Sequence, residues 1–240
     1  MKIKIITPIV IKSFRFDREE YARRIKRLSG LCEDTEVEFE SIKRGPTSIE
    51  SKYDEVLACP DIMRLIKEAE EDGYDAVVVN CFGDPGVMAG RELVKIPVVG
   101  PGEASMLVAS SLCHKFSVVT VLKNVVPLIE ENAKIYGIYS KLASVRSIDI
   151  PVLELHADEE RTVKALAEEG RIALEEDGAE LLILGCTGMT GLAQRLSELL
   201  DVIVIDPLPT ALKFAESLVK LGLSHSKRGF PTPPKKERII

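Results

Sequence analysis

Two short stretches of the chain carry the same residues in the same order, and each brings a cysteine to the end of an apolar run. Asp72-Gly-Tyr-Asp-Ala-Val-Val-Val-Asn-Cys81-Phe-Gly-Asp-Pro-Gly86 is echoed by Asp177-Gly-Ala-Glu-Leu-Leu-Ile-Leu-Gly-Cys186-Thr-Gly-Met-Thr-Gly191. At one offset of 105 (186 − 81) the Asp-Gly pair, the apolar run, the cysteine and two glycines (83 with 188, 86 with 191) superimpose. Parallel α/β sheets place their ligand sites at the C-terminal ends of strands. Two thiols at equivalent strand ends of two half-chains predict a facing pair across a cleft, one removing a proton and the other returning it.

A hydrogen on a carbon beside a carbonyl is lost reluctantly, and inverting that centre calls for a base on each face. A thiol, with an ordinary pKa of about 8.5, becomes more acidic when its thiolate sits at a helix N-terminus. Both cysteines precede glycine-rich turns, 81–86 and 185–191, that lead toward helices. The sequence therefore predicts thiols made more acidic, beside backbone N–H groups free to meet an anion or a carbonyl oxygen. A lone cysteine after an apolar strand is ordinarily a small buried hydrophobe. That plainer reading stands for Cys32, Cys59 and Cys113, which lie in or beside helical segments with no glycine turn and no repeat partner.

Other chemistries find little support. The three histidines (114, 156, 225) share no ligand spacing with each other or with cysteine, so no metal is expected. The 185–191 turn lacks the lysine of a phosphate loop, and Gly100-Pro-Gly102 lacks the third glycine of a dinucleotide fingerprint. A redox pair would hold its cysteines closer in sequence. The acidic run 68–72 reads as a solvated helix face.

The elements that must hold the thiols alternate. Strands are predicted at 2–9, 36–42, 74–81 and 96–100, with helices at 18–31, 61–72 and 103–113. The second half repeats the plan: strands at 116–122, 152–155, 181–186 and 202–207, helices at 124–136, 159–177 and 191–200. Thr120 closes its strand where Thr7 closes the first, and 45–51 is a loop of turn formers. The expected fold is α/β: two pseudo-symmetric lobes, each a parallel sheet of about four strands flanked by helices, with the active site in the cleft between them. The first lobe is assigned 1–105 together with 208–240, the second 106–207. The proline- and base-rich tail from Ser224 to Ile240 reads as an arm or loose end rather than core.

With 240 residues, a net charge of −6 and a pI near 5.3, the chain is large enough for a sizeable core and unsuited to a nucleic-acid partner. No apolar run reaches the roughly 18–20 residues of a membrane span. The first residues read as a strand rather than a signal peptide, so a cytoplasmic location with reduced thiols is expected.

Taken together, the motifs resemble the aspartate/glutamate/hydantoin racemase superfamily, in particular its hydantoin racemase branch. The resembling stretches are Gly-Pro-Thr-Ser-Ile-Glu-Ser (45–51) with Asp54 and Glu55 behind it, Asn-Cys-Phe-Gly-Asp-Pro-Gly (80–86), Gly-Pro-Gly-Glu-Ala-Ser (100–105), Gly-Cys-Thr-Gly-Met (185–189) and Ser-Lys-Arg-Gly-Phe-Pro (226–231). The resemblance implies a cofactor-independent racemase or epimerase with Cys81 and Cys186 as acid/base residues, acting on a 5-substituted hydantoin or an amino-acid derivative. It further implies backbone contacts to substrate at Phe82, Gly83, Thr187 and Gly188, a cleft lined by Thr7, Pro8 and Thr120, and a cover carrying Ser48 and Ile49. A homo-oligomer is also implied. The chain departs from the pattern at Thr7-Pro8-Ile9, where hydantoin racemases usually carry Asn-Pro-Asn. It departs from glutamate racemases at Gly188, where they carry a histidine. The rival readings are a maleate-type cis–trans isomerase or lyase of the same superfamily, and a small-molecule binding protein without catalysis.

Overall fold

The computed structural model describes residues 1–11 and 18–238. Among the described residues eight strands form two four-stranded sheets, ordered β2-β1-β3-β4 and β6-β5-β7-β8, and every pairing is parallel. In the first sheet these are β1 (Lys2–Thr7), β2 (Glu36–Ser41), β3 (Ala76–Val79) and β4 (Val98–Val99). In the second they are β5 (Phe116–Thr120), β6 (Leu142–Ser147), β7 (Leu181–Leu184) and β8 (Val204–Ile205). The two central strands that carry the thiols, β3 and β7, are continuous apolar runs buried along their whole length. That is the pattern of parallel strands covered by helices on both faces. The helices are α1 (Arg18–Leu28), α2 (Lys52–Glu71), α3 (Val87–Leu93), α4 (Pro101–Leu112), α5 (Val126–Ile135), α6 (Glu159–Glu175), α7 (Ala193–Leu200) and α8 (Pro207–Lys220).

Five elements differ from the sequence expectation, which places no helix at α3 or α8. Helix α2 begins nine residues earlier than predicted, because the Ser51 side chain accepts the Asp54 N–H and the helix then runs through Pro60. The proline leaves the Val56 carbonyl without its helical donor, but Val56 lies on the exposed face, where water can replace that bond. The segment 152–155, expected as a strand, is a short 3-10 turn (Val152–Glu154). The fourth strand of the second sheet is instead β6, an edge strand half-buried along its length, whose sequence lacks the apolar alternation that would reveal it. The tail is not loose throughout. His225 Nε2 accepts the Val98 N–H at 3.1 Å, Lys227 donates to the Arg91 carbonyl at 2.7 Å, and Phe230 stacks near the Arg91 guanidinium. Residues 239–240 lie outside the described residues.

The chain crosses between the two sheets twice. Helix α8 returns to the first sheet, burying Leu208, Ala211, Leu212 and Ala215 with Ile3, Ile5 and Val78. Glu216 on that helix accepts hydrogen bonds from Cys32 N–H at 2.9 Å and from the Thr35 hydroxyl at 2.5 Å. Helix α4 straddles both cores: Ala104 packs with the first sheet, Met106 and Ala109 with the second. The boundary drawn at 105/106 falls inside that helix. No helix is long and apolar enough to cross a membrane among the described residues.

Candidate active site

The two cysteine loops meet. After β3 the chain turns at once, with the Asn80 N–H donating to Ile6 O and the Cys81 N–H to Val79 O. After β7, the Gly185 N–H donates to Val119 O, the equivalent bond one half-chain later. The Thr187 hydroxyl then donates to the Asn80 carbonyl at 3.2 Å, tying the second loop to the first. Phe82 is buried in the core of the opposite half, among Phe116, Val125 and Ile129. Each loop is thereby fixed by contacts with the other lobe, which a single half-chain could not supply.

One cavity of about 410 Å³, counting its open mouth, holds both thiols. Its polar lining is Cys81, Cys186, Thr120, Thr187 and Glu55; Ile49, Val121, Val125, Leu128 and Ile129 give it an apolar wall. Phe82 and the backbones of Gly83 and Gly185 complete it. The Thr120 hydroxyl donates to the Gly185 carbonyl at 3.0 Å. A Cβ at residue 185 would fall 2.7 Å from Thr120 Cβ and 3.0 Å from its Cα, so only glycine lets β5 and the Cys186 loop approach this closely.

Of the residues singled out in the sequence, Ile49, Phe82, Gly83, Thr120 and Thr187 line this cavity with the two cysteines. Gly188 lies beneath it, its N–H donating to Cys186 Sγ at 3.3 Å. Thr7, Pro8 and Ser48 are not among the lining residues. The pseudo-symmetry breaks here for a simple reason. Thr120 stands beside Gly185, whereas the repeat position beside Thr7 is Asn80, a residue with a side chain where the second half has none. Among the described residues no cluster of three or more His, Cys, Asp or Glu is arranged to hold a metal.

Several residues whose supporting role the sequence did not show hold the loops in place. Asp84 adopts a left-handed backbone (φ 53°) and turns its carboxylate onto the start of α4, accepting the Gly102 N–H at 2.9 Å and the Glu103 N–H at 2.7 Å. From the other lobe, the Tyr136 hydroxyl donates to Asp84 at 2.6 Å and the Asn132 side-chain amide donates to the Gly83 carbonyl at 2.9 Å. These two residues are four apart and share one face of the α5 end, which is the only hint their spacing offered. Burial pushes the Asp84 carboxyl up to about 7 despite those donors. Glu50 in the 45–51 loop accepts the Val152 N–H at 2.8 Å, and Lys52 reaches Glu131 of α5 at 3.9 Å, closing one side of the cleft.

The thiols are not made acidic. Burial pushes Cys186 up to about 11, outweighing the Gly188 and Met189 N–H groups that favour its thiolate; the Glu50 charge adds to the rise. Cys81 is raised well above the ordinary thiol value, again by burial first, with the Gly83 N–H opposing and the charges of Cys186, Glu55 and Asp84 assisting. The expected helix-dipole effect fails because neither cysteine sits at an α-helix start. Cys81 precedes α3 by six residues (87 − 81), and Cys186 heads only the 3-10 turn Thr187–Met189. A dipole field fades within a turn, and burial then decides. A charge on Cys186 adds to the rise at Cys81, so ionisation of the one sulfur opposes ionisation of the other.

Two parallel-sheet lobes with a cysteine from each at a shared cavity define the fold class of cysteine-bearing racemases and isomerases. Residues 19–215 match the Asp/Glu/Hydantoin racemase family. The chain belongs to that family, and it is an isomerase of the racemase type. It is 41% identical over 240 residues to a hydantoin racemase of Pseudomonas sp. (strain NS671), covering 100% of this chain and 94% of that one. It is 39% identical to a hydantoin racemase of Rhizobium meliloti over 227 residues, 95% and 92% of the two chains. The crystal structure of allantoin racemase from Pseudomonas fluorescens superposes with a TM-score of 0.90 at 34% identity, covering 100% of each chain.

Proposed function

We propose that this protein racemises a 5-substituted hydantoin or a closely related amino-acid derivative, with Cys81 and Cys186 as its two acid/base groups and no cofactor. The observation that carries this reading is the delivery of two thiols, from equivalent strand ends of a repeated half-chain, into one cavity where ionisation of one opposes ionisation of the other. The hydantoin relatives and the allantoin racemase likeness support the choice of ring. In such a ring the reacting C–H lies between a carbonyl and an acylated nitrogen, which makes it a stronger carbon acid than a free amino acid.

The step is a proton exchange. One cysteine, as thiolate, takes the ring C–H proton and becomes a thiol; the electron pair moves onto the adjacent carbonyl oxygen as an enolate. The other cysteine then donates its proton to the opposite face and is left as the thiolate. The N–H groups of Phe82 and Thr187 have no backbone acceptor among the described residues and would receive the developing oxyanion, while the Gly83 N–H favours the Cys81 thiolate. The wall of Ile49, Val121, Val125, Leu128 and Ile129 would accommodate an apolar substituent.

The test follows α-proton loss by NMR in heavy water, using single enantiomers of several 5-substituted hydantoins with a metal chelator present. A no-protein control and the Cys81→Ser, Cys186→Ser double variant run alongside. The reading requires exchange above both controls with matching loss of optical rotation. Each single serine variant should lose racemisation while retaining exchange from one face at most. Full racemisation by both single variants would refute the two-thiol mechanism.

A further inference from the structure

The cavity holds one carboxylate that the two-thiol exchange does not use. Glu55 stands on the first turn of α2 with its side chain 6% exposed, and it lines the same cavity as Cys81 and Cys186. Lys52, one turn earlier, binds only one of its oxygens, Oε2, at 3.0 Å. The other oxygen, Oε1, has no donor among the described residues, yet it is not sealed inside the protein. It lies against the Cys81 loop: a Cβ at Gly83 would fall 2.2 Å from Oε1, so glycine at 83 is what admits the carboxylate. An oxygen of a buried carboxylate without a donor is unfavourable unless a ligand or water supplies one.

The remaining polar groups of the cavity have other duties. The Thr120 and Thr187 hydroxyls donate to backbone carbonyls, the sulfurs exchange protons, and the loop amides are donors. A cyclic ureide presents carbonyl oxygens, which the amides can meet, and ring N–H groups, which need an acceptor. Among the described residues Glu55 is the one carboxylate lining the cavity. Resting on the racemase reading above, we propose that Glu55 Oε1 accepts a hydrogen bond from a ring N–H of the substrate. The site thereby selects cyclic ureides with that N–H free over their N-alkylated counterparts. Gly83 serves the same selection by leaving the room in which the carboxylate stands.

The experiment compares a 5-alkylhydantoin with its N1-methyl and N3-methyl derivatives, using wild type, Glu55→Gln and Glu55→Ala, each first checked by thermal melting. A charge-assisted hydrogen bond corresponds to about 10- to 100-fold in kcat/KM. Wild type should lose that much on one N-methyl derivative. Glu55→Ala should lose a similar factor on the parent and discriminate less than about threefold between the parent and that derivative. Glu55→Gln, which keeps a neutral acceptor, should fall between them and carries the test if the alanine variant does not fold. A purely electrostatic role predicts something else. Removing the charge, with Lys52, Glu131 and Asp84 still facing the site, would move the pH–rate profile to lower pH by easing Cys81 ionisation. N-methyl discrimination identical in all three proteins overturns the assignment, whatever the pH profile does. Absence of exchange on the parent ring with wild type would overturn the racemase reading itself, a separate and distinguishable outcome.

Discussion

Cys186 is held as a thiol far into the alkaline range, and this has a measurable price in both reactivity and stability. Its pKa of about 11 stands two units above the reference of 9.0. At pH 8 about one molecule in a thousand carries this thiolate, and the fraction rises tenfold per pH unit until about pH 11. The sign for stability follows directly. A group whose folded pKa is raised favours the fold fully below its unfolded value, and that contribution is lost as pH rises through the folded value. Between about pH 9 and pH 11 the protein should lose stability from this group, on the order of 3 kcal/mol. Two assays read this. Iodoacetamide labelling with peptide-level mass spectrometry should give a Cys186 alkylation rate that climbs through pH 10, against a reference of the same peptide in denaturant. Denaturant unfolding of wild type and Cys186→Ser, compared from pH 8 to pH 11, should show the stability difference shifting by about that amount toward the serine variant. Half-maximal labelling below pH 9, or a difference that does not move with pH, would refute the reasoning that burial outweighs the loop amides.

Three further perturbations test the scaffold. Gly185→Ala, whose Cβ meets Thr120 and Val118 at 2.7–2.8 Å, should destabilise by about 1–3 kcal/mol and misplace Cys186, seen as a lower melting temperature together with reduced exchange. Tyr136→Phe combined with Asn132→Ala should free the Cys81 loop from the second lobe, costing about 1–2 kcal/mol per lost bond, and lower kcat more than it raises KM in the exchange assay. Glu216, held down to about 2 by Lys213, Thr35 and the Cys32 N–H, stabilises the fold above its ordinary range near 4.5 and loses that effect as pH falls toward 2. Glu216→Gln should therefore melt lower at pH 7, by roughly 2 kcal/mol, with the gap closing at pH 2–3 in acid-unfolding curves.

The alternation of strands and helices, the two lobes and the two catalytic-type cysteines were legible because each leaves a local mark. Parallel strands such as Ala76–Val79 and Leu181–Leu184 are buried on both faces and so read as unbroken apolar runs. The repeat at a spacing of 105 marks equivalent places in equivalent folds. The half-buried edge strand β6 left no such mark, and the apolar 152–155 segment imitated one. Contacts between distant segments set the rest. Glu55 and Asp84 stand inside the motifs, but their roles show only once α2 brings Glu55 against the Cys81 loop and that loop turns Asp84 onto α4. Thr7 and Thr120 look equivalent until their neighbours, Asn80 and Gly185, are seen to differ in the room they leave.

The acidity of the thiols shows most plainly where the division falls. From the residues alone one reads a cysteine, a glycine turn and a helix to follow, and hence an acidified thiol. The folded protein sets the sulfurs in a largely apolar cavity, with α3 beginning too far along the chain to help Cys81. Chemical identity and order along the chain are local properties, so the sequence determined which groups are available and in what kind of fold. Desolvation and the approach of charges depend on what lies around an atom in space, so only the tertiary structure decided how those groups ionise and which neighbours they meet.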